Sequence, residues 1–100
     1  MTIRHVVSWQ LATTDAGEKA EQAARVVSGL QSLVGVVTEI RTLNAGTDVV
    51  GNGNWDVVMV SEFDDVAALE RYQVHPEHQK VADYIRSVVA QRSAVDYVVG

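Results

Sequence analysis

Between Tyr72 and His78 the chain gathers a phenol, two imidazoles and a carboxylate: Tyr72, His75, Glu77 and His78, with Pro76 among them. An imidazole held against apolar surface loses solvation of its charged form, so it stays neutral and can act as a general base near pH 7. A phenol beside it can steady a carbonyl oxygen by donating a hydrogen bond. The same side chains are potential metal ligands. However, Pro76 breaks the helix between the two imidazoles, no second carboxylate cluster accompanies them, and the HExxH spacing that sets two histidines on one helical face is absent. No metal and no other cofactor is expected. His75 reads as a helix-start residue, and Glu77 as a first-turn acid favoured by the helix dipole. The chain has no cysteine, which removes thiolate catalysis, disulfides and cysteine-bound metal.

Spacing decides which of these groups point inward. His78 lies three, four and seven residues before Val81, Ala82 and Ile85, which places it on an apolar helical stripe. Tyr72 continues the stripe of Val66 and Leu69. From Ile3 to Leu11 the odd positions Ile3, His5, Val7, Trp9 and Leu11 alternate with more polar ones, the period of a strand, and His5 interrupts that apolar face. The expected site is therefore His78 and Tyr72 as catalytic pair, in a pocket of His5, Val7, Trp9, Val57, Met59, Val81 and Ile85. An inward imidazole or phenol left without a partner costs about 1–3 kcal/mol, so these groups should bond one another, backbone or water. Hydrogen-bonded core residues meet that requirement as well as catalytic ones do. Two functions stay open: base chemistry on an apolar, carbonyl-bearing molecule, or a non-catalytic protective or ligand-binding protein.

The surrounding elements follow from capping and periodicity. Asp15 with Glu18 resembles a capping box, and Ala20, Ala23, Ala24, Val27, Leu30 and Val34 recur at helical spacing, predicting a helix from about Ala16 to Leu33. Gly35 ends it, and the β-branched run from Val36 to Leu43 predicts a second strand. Asn44 to Asn54 reads as a hairpin connection, since its GNGN run lacks the order and the basic residue of a phosphate-binding loop. Trp55 to Phe63 predicts a third strand, with Trp55, Val57, Met59 and Phe63 on one face and Asp56, Val58, Val60 and Glu62 on the other. Asp64 or Asp65 caps the next helix. That helix must bend or end at His75, because Pro76 disfavours α conformation before it while suiting a new first turn. A last strand is expected from about Ser93 to Val99.

The order is β-α-β-β-α-α-β, an α+β ferredoxin-like arrangement with a four-stranded antiparallel sheet and its helices on one face. One hundred residues, 47% apolar, suffice for a single core, and so small a unit gains from burial against a second copy. The face away from the helices mixes Val6, Val58 and Val60 with Arg4, Gln10, Asp56 and Glu62. It is too apolar for a fully solvated sheet, so two such sheets are expected to meet there in a homodimer. A net charge of −5 with scattered basic residues argues against nucleic acid. No apolar run approaches the length of a bilayer span and the N-terminus lacks the pattern of a signal peptide, so no membrane partner and a cytoplasmic location are expected.

Four segments, IRHVV at Ile3–Val7, WDVVMVSEF at Trp55–Phe63, ALERYQVHPEHQKV at Ala68–Val81 and AVDYVV at Ala94–Val99, resemble the stress-responsive A/B barrel domain (Dabb) family. YQVHPEH is the most specific of the matched pieces. The resemblance implies a dimeric α/β barrel, formed when two ferredoxin-like sheets face each other. It also implies distant similarity to plant polyketide cyclases of the olivetolic acid cyclase type. In those enzymes the histidine matching His78 is the general base, the tyrosine matching Tyr72 assists it, and the histidine matching His5 lines the pocket. A further pocket histidine of that type is replaced here by Val57, so the same cyclisation is not implied.

Overall fold

In a computed structural model describing residues Met1–Gly100, the chain runs β1 (Thr2–Leu11), α1 (Ala16–Gln31), β2 (Thr42–Thr47), β3 (Val57–Phe63), α2 (Val66–Val74), α3 (Pro76–Val88) and β4 (Val89–Val99). The four strands form one antiparallel sheet in the order β2-β3-β1-β4. This is the ferredoxin-like α+β fold that the element order predicts. In β1 the odd residues are buried beneath the helices and the even ones remain half-buried, so the alternation maps onto the two faces of the sheet.

The start signals act as read. Asp15 accepts from the Glu18 amide at 2.8 Å and Asp65 from the Ala68 amide at 2.8 Å, each satisfying a donor that the first helical turn leaves free. Asp64, the other candidate cap, instead pairs with Arg41. His75 ends α2 in an extended conformation and starts α3: its Nδ1 accepts from the Glu77 amide at 3.1 Å, and Pro76 occupies the first turn.

The second strand is where the sequence misleads. Residues 36–41 are not strand. They form a chain of turns, with Val36 and Val37 amides donating to the Leu33 carbonyl and the Ile40 amide to that of Val37. Gly35, at φ +83°, makes the reversal that a side chain would resist. The β-branched residues serve packing rather than pairing, since Leu33 and Val37 plug the core while Val34 and Val36 face out. The true β2, TLNAGT, falls mostly inside the predicted loop. It has weak strand propensity and is held by register with β3, from Thr42 opposite Glu62 to Thr47 opposite Val57.

Smaller corrections share one cause, that tertiary contacts rather than local pattern set the bounds. The buried stripe of α1 is Ala23, Val26 and Leu30, with Ala20, Ala24 and Val34 exposed. In α2 it is Ala68, Leu69 and Tyr72, with Val66 exposed. Strand β3 begins at Val57, so Trp55 lies outside it, sharing a shallow groove with Ser8 and Val58 of the open side. Asp56 is drawn to the sheet end, where it accepts from the Leu11 amide at 2.8 Å and faces Lys19 of α1. Strand β4 begins directly where α3 ends.

Two buried clusters fill the space between sheet and helices. One joins Val7, Trp9, Leu11, Val57 and Met59 to Ala23, Val26 and Leu30 of α1 and Ile85 of α3. The other joins Ile3 and Phe63 to Leu33, Val37, Ala68, Leu69 and Tyr72. His5, buried, stands between Ile3 of the second and Val7 of the first, so the polar group of β1 sits at their seam.

Candidate active site

A cavity of about 230 Å³ opens along that seam. The sheet contributes His5, Val7, Trp9 and Met59, and the helices contribute Leu30, Tyr72, His78, Ala82 and Ile85. The α3–β4 junction completes it with Arg86, Val89 and Arg92. The sequence-predicted residues His5, Val7, Trp9, Met59, Tyr72, His78 and Ile85 thus line one cavity. Val57 and Val81 do not. Val57 is sealed in the core at the far end of β3, and Val81 turns toward Gly29 of α1, spanning the two clusters.

The Pro76 break explains how two helices serve one cavity. Tyr72 projects from the last turn of α2 and His78 from the first turn of α3, and the break brings their ring centroids to 4.3 Å at a 50° tilt. The Tyr72 ring also packs on Phe63, with centroids 4.9 Å apart, and stands edge-on to His5 at 6.4 Å. Its hydroxyl has one protein partner, the Met59 thioether Sδ at 3.8 Å. A thioether is a weak acceptor, so most of the hydrogen-bonding capacity of this buried hydroxyl is unspent. Burial pushes the phenol up to about 12, with the Arg92 charge acting against that rise.

His78 has its Nδ1 3.0 Å from the Gln73 carbonyl oxygen. A carbonyl only accepts, so Nδ1 carries the proton, and in the neutral ring Nε2 keeps its lone pair. Burial holds the His78 pKa below its ordinary 6.5; the Gln73 carbonyl opposes this, while His5, Arg86 and Arg92 push it further down. His5 is committed differently. Its Nδ1 meets the carboxylate of Asp96, the residue opposite it on β4, and the pairing register places both on the helix side of the sheet. His75 takes no part, because its ring caps α3.

Sequence reasoning missed Leu30, Ala82, Arg86, Val89 and Arg92 as cavity residues, and Asp96 as the partner of His5. Helical spacing carried a signal for two of them, since Ala82 and Arg86 follow His78 by four and eight residues. Arg92 and Asp96 alternate on β4, with Arg92 opposite Trp9. Starting that strand at Ser93 hid the pattern.

The family model of the stress responsive A/B barrel domain, Dabb, matches residues 3–99. The chain belongs to this family. Solved structures share the ferredoxin-like fold of this Dabb chain. A dimeric ferredoxin-like protein of unknown function from Thermobifida fusca is 28% identical, with 99% of this chain and 92% of that one covered at a TM-score of 0.83. A dimeric ferredoxin-like protein from Bacteroides fragilis is 24% identical, with 96% and 94% covered at 0.89. A hydroxynitrile lyase from Passiflora edulis is 15% identical, with 99% and 94% covered at 0.79. The latter two likenesses are of fold alone. No curated protein matches this Dabb chain. No helix is long and apolar enough to cross a membrane.

Proposed function

We propose that this Dabb domain is a cofactor-independent acid–base enzyme that acts on a small, apolar, carbonyl-bearing molecule held in the seam cavity. The observation that carries the reading is the pairing of a buried, under-bonded Tyr72 hydroxyl with a neutral His78 whose Nδ1 is already committed. In the reaction, His78 Nε2 takes a proton from the carbon next to the carbonyl, and the electron pair of that C–H bond moves onto the carbonyl oxygen as an enolate. The Tyr72 hydroxyl donates to this oxygen. Return of the proton from His78 to a conjugated carbon completes an isomerisation; in a cyclisation the enolate carbon instead adds to a second carbonyl of the same molecule and the proton from His78 goes to the alkoxide formed there, so neither needs a redox partner. The resemblance to polyketide cyclases supports these roles for His78 and Tyr72 and a pocket-lining place for His5, and the Passiflora lyase is an enzyme on the same fold.

The functional unit is a homodimer joined through the open sheet face. On that face Val58, Val95 and Tyr97 are 41%, 60% and 42% exposed. Around them, Arg4 reaches Glu62 at 2.8 Å and the Tyr97 hydroxyl at 3.0 Å, a polar pattern that fits a covered interface. The Thermobifida relative is described as dimeric. Light scattering at micromolar concentration should give twice the mass of the chain, and Val58→Asp together with Val95→Asp should give the monomer. A monomeric wild type rejects the dimer.

The chemistry is tested with acetophenone in deuterium oxide. Proton NMR should show its methyl hydrogens exchanging faster with the protein than in buffer alone, and the acceleration should vanish in His78→Gln and in Tyr72→Phe. An exchange rate equal to that of buffer rejects the acid–base reading.

A further inference from the structure

The charge of the cavity is opposite to that of the chain. In a protein of net charge −5, the seam is lined by two fixed cations, Arg86 and Arg92, beside the neutral His78, and by no carboxylate. Low-dielectric walls concentrate such a field, so the cavity attracts anions that the rest of the surface repels. Two carboxylates outside the lining hold members of it, Asp96 bonding His5 and Asp83 pairing with Arg86. The Arg86–Asp83 pair is an exposed contact within one helical turn, the kind that contributes little and yields easily. Arg92 is freer still, since none of the chain's ion pairs includes it.

We propose that the molecule taken by this cavity is a small oxo acid, with its carboxylate bound by Arg92 and Arg86 and its carbonyl and apolar body inside against Tyr72 and His78. This deepens the acid–base reading above and rests on it. The planar guanidinium fork matches a carboxylate in two parallel hydrogen bonds, which fixes orientation as well as affinity. Such orientation holds the carbonyl toward Tyr72 and His78 for more of the time than apolar walls alone, which let a small ketone turn over. The volume, about 230 Å³, falls below the roughly 300–1,000 Å³ of sites for drug-sized ligands, so the body is a single ring or a short chain. The two arginines come from the α3–β4 junction, the last turn of the helix and the fourth residue of the strand, with no loop between. Helix and strand backbone, not a connecting loop, thus place both at the mouth.

The test uses two probes that differ only in charge, 3-benzoylpropionate and its primary amide, each titrated into the protein while the His78 ring signals are followed by NMR. The acid should bind about tenfold or more tightly than the amide at low salt, in keeping with charge-assisted hydrogen bonds. Raising the salt should narrow the difference, and in Arg92→Gln with Arg86→Gln the affinity for the acid should fall to that of the amide. Arg92→Lys, which keeps a charge without the fork, should retain part of the preference. Equal binding of acid and amide by the wild type overturns the oxo acid while leaving the acid–base cavity intact, and so does a preference that survives the double substitution. If neither probe moves the His78 signals, both readings fall together.

Discussion

Tyr72 and His78 stand with ring centroids 4.3 Å apart although Pro76 lies between them in the chain. In an unbroken helix, six residues separate by more than a turn and a half and point to different sides. The proline converts that separation into proximity by ending α2 at Val74 and restarting at once as α3. His75 satisfies the new helix start, which frees His78 to face the cavity.

Tyr72→Phe separates a structural hydroxyl from a functional one. Because the hydroxyl bonds only a thioether, its removal should change the free energy of unfolding by less than about 1 kcal/mol in urea denaturation, while abolishing ketone exchange. A loss above about 2 kcal/mol would mark the hydroxyl as a core bond and count against a role in chemistry.

His78 also predicts a pH dependence whose sign is fixed. Its folded pKa lies below the ordinary 6.5, so between the two values the unfolded chain binds the proton and the folded one does not. The neutral ring's contribution to stability is therefore fully present above about pH 6.5 and is lost as pH falls through the folded value. Urea midpoints measured from about pH 8 to 5 should decline, and His78→Gln should flatten that decline. Asp48, Glu62 and Asp64, held low by their hydrogen-bonding partners, titrate in a lower window and do not mimic it. An identical slope in wild type and variant would place the titration elsewhere.

The turns after α1 give a contrast between neighbours. Leu33 is buried in the cluster of Phe63 and Tyr72, whereas Val34 is 54% exposed. Leu33→Ala should cost about 2–5 kcal/mol and Val34→Ala less than about 0.5 kcal/mol by equilibrium unfolding. Comparable losses at both positions would contradict the burial of Leu33 and the exposure of Val34 in these turns.

How far the molecule was legible depends on which forces acted at each place. The alternation of β1, the caps at Asp15 and Asp65 and the Pro76 break are local, and local chemistry was enough to find them. Val36–Leu43 failed because β-branched side chains pack equally well from a strand or from a turn, and only the contact of Val37 with the second cluster decides between them. TLNAGT failed for the complementary reason, since its strand state comes from hydrogen bonds to β3. Tyr72, His78 and His5 were readable as inward polar residues. Arg92 and Asp96 were not, because they sit on the helix side of a strand that the helices leave exposed, and no apolar pattern marks that side.

Strand β4 is hydrogen-bonded on one side only, to β1, yet it supplies both Asp96 and Arg92. An edge strand of this kind opens more readily than the central ones, so its amides exchange with solvent at a free energy below that of global unfolding. A molecule held between Arg92 and the helices ties this edge down and must raise the energy of its opening. Occupancy of the seam is thereby written into the hydrogen-exchange protection of an outer strand, where it is measurable before any reaction is known.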